Sequence, residues 1–552
     1  MEVNWARQPA RGLKLLRYYP TSCLSIGANS RSKYIGAYAL FVATAMALAL
    51  SMRLDIAVTT GFPILDGGMF YAMVRDLQLH HLALPAFTTY NHAHIPFSYP
   101  PLGLYSAAIA QRATGVDLLS IVQYLPIIIS VLIVGAFALL AYELVPFVAA
   151  TTAVFAFAVL PNAFQNSMEG GGLTRAPGEL FTLLFLHQLC LFLRLTRKRH
   201  GVLASAFLAG VLLSHLEWSL FALLSLGVFW LSFGHSRKSL VQTIFIASGA
   251  LALAAPWWST VLRLHGVAPF LSTMSGSSQV WPWYSSLVGF ASLQLANEGG
   301  FPFVTALGLV GMVVMLHRRQ WLLPVWMLSI PLTEARAWQL RLVIPLALLA
   351  GIAMESALLP LLLRGIASTG IGGDGENARG AKCVAAIVLG FMLMYGTLSG
   401  WYVSTTSVTS LTPGERSTMA WITRHTPRQS TFLIVRGGSW SLDAASEWFP
   451  ALSGRVSVAT VQGYEWIPGA FAHRARRSER LAQCVSSTAA CIDRWLAGTR
   501  ERVDYIFVSR AASVVSSDCC SGIRSQLAMD SHFQQVYKGS GGIILRVRSR
   551  GS

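Results

Sequence analysis

Charged residues are scarce in this 552-residue sequence. Asp, Glu, Lys and Arg make up 12% of it, about half the roughly 25% of a soluble globular protein. With 54% hydrophobic residues and a mean hydropathy of +0.52, a soluble multidomain protein is excluded and a polytopic membrane protein is expected. Acid is scarcer than base: 24 Asp and Glu stand against 42 Lys and Arg, a formal net charge of +18. A nucleic-acid surface could account for such an excess. The basic residues lie in short loops between apolar runs, however, which is the pattern of positive cytoplasmic loops. Nucleic acid is therefore not an expected partner. Nucleotide motifs are missing as well: there is no P-loop and no GxGxxG after a strand. An enzyme built this way takes its activated substrate from the membrane.

Apolar runs of about 20 residues cross a 30 Å core. Eleven such runs are read as spans, at 34–52, 118–141, 147–162, 178–195, 201–214, 217–234, 239–262, 301–316, 320–333, 341–363 and 383–403. Residues 1–33 form a basic cytoplasmic N-terminus with no cleavable signal peptide. The basic loops 194–201, 235–239, 317–320 and 363–382 then fall inside, and loops 53–117 and 163–177 fall outside. Residues 100–115 read as a re-entrant or interfacial helix, because a twelfth span there would invert the loops that follow. The tail, 404–552, alternates strand-like runs (TFLIV, RVSVATV, DYIFVS, GGIILRV) with helix-like ones. The expected fold is thus an α-helical polytopic membrane protein of about eleven helices with a C-terminal extracytoplasmic α/β domain, placed in the plasma membrane. Four of the seven cysteines lie in the tail, and Cys484 with Cys491 is a plausible disulfide there.

Every group with catalytic potential falls on the outer side. The stretch FPILDGGMFYAMVRDL sets Asp66 beside two glycines just past the first span. A carboxylate at a partly dry membrane surface is costly unless used. The same loop holds His92 and His94, which are binding candidates or ordinary loop residues. In PNAFQNSMEGGGLTRAPGELF, Gly170, Gly171 and Gly172 lie between Glu169 and Arg175. Glycine N–H groups can cradle an anion, and an arginine can clamp phosphate or carboxylate in two places; a flexible turn is the plainer reading. Glu217 and His215 occupy another outer turn, and Glu334, Arg336 and Arg341 a third. These arginines either snorkel to the headgroups or hold a lipid-linked phosphate. Loop 262–290 is a lid or part of an aromatic belt. Trp448, Phe449 and Trp466 either pack the tail or help bind a carbohydrate.

The segments LDGGMFYAMVRDL, YPP, MEGGGLTRAPG, WWSTVLRLHGVAPF and RAWQLRLVIPLALLAG, laid out over roughly 34–403, resemble the GT-C superfamily of membrane glycosyltransferases. That group includes protein O-mannosyltransferases, aminoarabinose transferases and oligosaccharyltransferase catalytic subunits. The resemblance implies inverting transfer of a sugar from a polyprenyl-phosphate donor to a glycan, lipid or protein acceptor at the outer face. It matches Asp66 to the catalytic Asp, and it implies that Arg336 or Arg341, with Arg175, offsets charge on the leaving phosphate. There are departures. The tail has no WWD motif, and Glu169 precedes the glycines where many relatives carry an Asp or a DxE pattern. A metal role is therefore open, and a divalent cation is an option that the residues do not require. The competing readings are a transporter or lipid flippase and a cell-envelope assembly factor.

Overall fold

The computed structural model describes residues 28–548, apart from 235, 294, 368–373, 407, 500 and 511–517. Most of the basic N-terminal segment lies outside the described residues. Among the described residues, six helices are long and apolar enough to cross a membrane: Ile35–Thr60, Leu118–Leu144, Gly172–Leu195, Leu216–Phe233, Trp338–Leu363 and Ala386–Thr406. A seventh follows if Arg237–Leu253 and Ala255–His265, bent by 61° at their junction, form one span. Phe147–Val159, Phe303–His317 and Leu322–Thr333 are apolar but shorter, and Lys198–Leu212 has 15 residues. At 1.5 Å per residue, a helix of about 13 residues covers only about 20 Å of a 30 Å core. A helix thus lies in each segment read as a span, but length and composition qualify six or seven of them.

Gly172–Leu195 packs against Leu118–Leu144, Lys198–Leu212 and Leu216–Phe233. The bundle interior is filled by side chains such as Phe185, Leu186 and Leu189, and Phe137 stacks on Phe157 with ring centres 4.1 Å apart. In the loop 53–117, helix Gly68–Leu79 packs against helix Leu102–Thr114, the segment read as re-entrant or interfacial. A two-stranded hairpin of β1 (Phe87–Thr88) and β2 (Ile95–Pro96) lies between them in sequence. Asp76 ties the hairpin down: its buried carboxylate accepts from the Thr88 hydroxyl (2.7 Å), the Thr89 amide (2.9 Å) and the Thr89 hydroxyl (2.7 Å).

The tail carries a five-stranded mixed sheet. Its strands are β3 (Thr431–Val435), β4 (Val456–Ser457), β5 (Tyr505–Ser509), β6 (Phe533–Gly539) and β7 (Gly542–Val547), ordered β4-β3-β5-β7-β6. β3 runs parallel to β4 and β5, and β7 runs antiparallel to β5 and β6. Three of the four strand-like runs lie on β3, β5 and β7. RVSVATV is a strand only at β4, and β6 comes from the polar FQQVYKG. Helix Pro413–His425 opens with a capping box between Thr412 and Glu415. Cys484 bonds Cys491, and Cys519 bonds Cys520.

Candidate active site

Asp66 lies on a loop held from three sides. The Leu65 amide donates to the Thr409 carbonyl (2.7 Å) and the Gly170 amide to the Ile64 carbonyl (2.9 Å). The Trp448 indole donates to the Leu65 carbonyl (3.1 Å). Two glycines make this possible. Gly67 adopts φ +141°, a conformation L side chains rarely take. A Cβ on Gly170 would fall 1.7 Å from the Asp66 carbonyl oxygen. The two loops therefore touch backbone to backbone.

The result is a compact ion cluster. Asp66 Oδ1 accepts the Gly171 amide (2.8 Å), and Oδ2 pairs with Arg175 Nη2. Arg175 Nη1 reaches Glu169 Oε2 at 2.6 Å, and Asn166 donates to the same oxygen at 2.9 Å. Burial pushes the Glu169 carboxyl up to about 7, against the pull of Arg175 and helped by the charge on Asp66. Of the three glycine amides, Gly171 bonds a carboxylate, that of Asp66, while Gly170 and Gly172 donate to the backbone carbonyls of Ile64 and Glu169. Gly172 packs against the Ser167 carbonyl.

A second cluster joins the first. Arg341 Nη2 meets Glu217 Oε2 at 3.0 Å, Arg341 Nε meets Glu334 Oε2 at 3.4 Å, and Arg336 Nη1 meets Glu217 Oε1 at 3.5 Å. Arg341 lies over the Trp218 ring (4.9 Å) and Arg336 over Trp281 (4.6 Å). Burial pushes Glu334 up to about 7 and His215 down to about 3, so His215 is a neutral imidazole at physiological pH. Asp66, Glu169, Arg175, His215, Glu217 and Arg336 line one cavity of about 370 Å³. Two larger hollows lie in the tail and one beside Glu298. They hold none of these groups.

His92 and His94 are outside this cavity. Both are exposed, with φ of +49°, and the His94 ring meets Phe87 edge-on. Arg341 does not line the cavity but pairs with Glu217, which does. Sequence reasoning missed Glu447. Its buried carboxylate caps helix Gly68–Leu79 from the tail, accepting the Gly68 amide at 2.8 Å and the Met69 amide at 3.0 Å. Burial, with the Asp66 charge, pushes Glu447 up to about 8 against those amides. Trp448 is buried between Phe62 and Tyr71, so it packs; Trp466 lines the cavity. For a divalent cation the fit is poor, because Arg175 already bridges Asp66 and Glu169 and would have to be displaced. The His and carboxylate group with metal-ligand spacing among the described residues is Asp493, Asp530 and His532 in the tail. None of the three lines the cavity.

No family model and no curated protein matches the sequence. Solved structures do. Archaeal oligosaccharyltransferase AglB from Archaeoglobus fulgidus, solved with an inhibitory peptide and a dolichol-phosphate, superposes with a TM-score of 0.55 at 13% identity, over 87% of this chain and 70% of its own. ArnT from Cupriavidus metallidurans, bound to undecaprenyl phosphate, gives 0.50 at 12% identity over 93% and 98%. Arabinofuranosyltransferase AftD from Mycobacteria gives 0.50 at 14% identity over 92% of this chain and 40% of its own. The fold is GT-C. At these identities the likeness is one of architecture, and it meets the expectation drawn from the motifs around Asp66 and Arg175. The cavity lies where loops 53–117 and 163–177 meet the tail.

Proposed function

We propose that this GT-C protein transfers a sugar from a polyprenyl-phosphate donor to an acceptor at the outer face of the membrane, with inversion. The observation that carries the reading is one cavity holding both a carboxylate cluster at Asp66 and a loosely held cation at Arg336. Asp66 Oδ1 accepts from the Gly171 amide and, at 3.4 Å, from Arg175 Nη1, and Oδ2 accepts from Arg175 Nη2, which fixes its orientation. Oδ2 keeps a further lone pair for an acceptor hydroxyl, so Asp66 serves as general base or positions that hydroxyl. Arg336 faces the leaving phosphate and stabilises the charge that develops there. One base opposite the leaving group suits inversion, and phosphate leaves without a second acid. Eleven spans, a cytoplasmic N-terminus, an extracytoplasmic domain from about 404 and a plasma-membrane location belong to this proposal. The short helices then cross a bilayer thinned around them.

The test is binding of undecaprenyl phosphate to the purified protein in nanodiscs, followed by transfer from a polyprenyl-phosphate sugar. Saturable binding that weakens in Arg336→Ala supports the reading. Full transfer by Asp66→Asn sinks the role given to Asp66. No binding of any polyprenyl phosphate moves the weight to transport, which would place polar groups along a path through the bilayer.

A further inference from the structure

We infer that the acceptor held in the Asp66 cavity is a neutral carbohydrate, seated against a wall that the C-terminal tail builds from Trp440, Gln462, Glu465, Trp466 and Phe471. The inference rests on the transferase reading and names the acceptor class within it.

Charge is the first ground. Five carboxylates line the cavity (Asp66, Glu169, Glu217, Glu447 and Glu465), against the two guanidinium groups of Arg175 and Arg336. Arg175 is committed to Asp66 and Glu169. Arg336 faces Glu217 and is stacked on Trp281. The tail's contribution to the lining contains no cation among the described residues. An acceptor bearing phosphate or carboxylate would find no cation on the tail's wall to offset its charge.

Unmade hydrogen bonds are the second ground. Trp466 Nε1 and His215 Nδ1 are buried without a partner, at 2% and 7% residue exposure, and both residues line the cavity. Buried polar groups in native proteins are paired, and an exception calls for a reason. The indole can only donate, and the carboxylates can only accept when ionised. A hydroxyl does both, so a polyhydroxylated ring answers every one of these groups with one kind of substituent.

Shape is the third. Trp281, Trp440 and Phe471 form a contiguous aromatic group, with ring centres 5.6 to 6.2 Å apart. Sugar rings present flat C–H faces that pack on such rings, while their edges carry the hydroxyls. The tail residues come from the 3-10 turns Trp440–Leu442 and Tyr464–Trp466 and from helix Ala470–Cys484. No strand edge of the described residues lines the cavity, so an extended peptide acceptor would find no ladder to join.

The experiment uses the full chain in nanodiscs on an array of neutral oligosaccharides, acidic oligosaccharides and Ser-, Thr- and Asn-containing peptides. Undecaprenyl phosphate binding is measured on the same preparation. The expected result is saturable binding of at least one neutral oligosaccharide. Trp440→Ala should weaken it about tenfold. Trp466→Phe, which keeps the ring and removes the N–H, should weaken it about fivefold, with an unchanged far-UV circular dichroism spectrum. Absence of neutral glycan binding across the array, or preference for acidic glycans or peptides, overturns the inference. If lipid binding stands in that case, only the acceptor class is lost; if lipid binding fails too, the transferase reading falls with it.

Discussion

The two ion clusters of the cavity are built from the same residue types in different proportions. At Asp66 one guanidinium serves two carboxylates, and all three side chains are about equally enclosed, at 14%, 14% and 18% exposure. At Glu217 two guanidiniums share two carboxylates, and they are held very differently. The Arg341 side chain is 2% exposed and bonds Glu217, Glu334 and the Ala337 carbonyl; the Arg336 side chain is 41% exposed and reaches Glu217 only at 3.5 Å. An excess of carboxylate suits a place that receives a proton. A cation on a loose tether suits a place where an anion arrives and leaves. In the proposed reaction this comparison divides the labour: Asp66 would act on the acceptor and Arg336 on the donor phosphate, with Arg341 as framework.

The largest expected effect breaks the first cluster. Asp66→Asn keeps the size and the Gly171 bond but removes the charge. Transfer should fall by about 10²–10⁴, the usual worth of a positioned base, with undecaprenyl phosphate affinity little changed in a lipid-binding assay. Next comes the buried arginine. Arg341→Ala leaves Glu217 and Glu334 without their enclosed partner, and losing half of such a pair costs about 3–5 kcal/mol. A clear fall in Tm in detergent checks this. A normal Tm with lost donor binding would instead exchange the roles of Arg341 and Arg336.

Much of this was legible in the sequence, and the division has a physical cause. Glu169, the glycines and Arg175 are near neighbours in the chain, so their meeting follows from one tight loop. Asp66 stood out because carboxylates are rare beside apolar residues at a span end. The apolar runs showed where helices would form, though not how many would be long enough to cross. The pairing of Glu217 with Arg341 joins residues 124 apart, and the capping of Gly68 by Glu447 joins residues 379 apart. No local periodicity encodes such contacts. His92 and His94 show the converse: a titratable group in a functional loop is visible in the sequence, but its direction is not. Trp440 and Phe471 were overlooked because single aromatics in a tail read as core.

A smaller effect sharpens the second cluster. Arg336→Ala should leave Tm nearly unchanged, since exposed pairs contribute only about 0–1 kcal/mol. It should weaken polyprenyl-phosphate binding about tenfold, as expected for one charge-assisted contact. Arg336→Lys should restore part of that affinity. A lysine offers a point charge in place of a planar fork, so full restoration would mean that charge alone is read.

The smallest effect concerns how the tail holds the first cluster, and its sign follows from the proton. Burial pushes Glu447 up to about 8 in the folded chain, whereas an exposed glutamate titrates near 4.3. The folded state therefore binds the proton more tightly. Its stabilising contribution is complete below about pH 4 and is lost as pH rises toward 8. Glu447→Gln cannot ionise. Like the protonated carboxyl, it offers one good accepting atom to the Gly68 and Met69 amides. The variant should therefore match the wild type at pH 6 and exceed it by pH 8, by on the order of 2 °C in Tm. A constant deficit across that range would mean that Glu447 stays ionised and acts purely as a cap. The carboxylate excess at Asp66 would then be one charge larger than the pH-dependent picture allows, and the case for a neutral acceptor would be stronger.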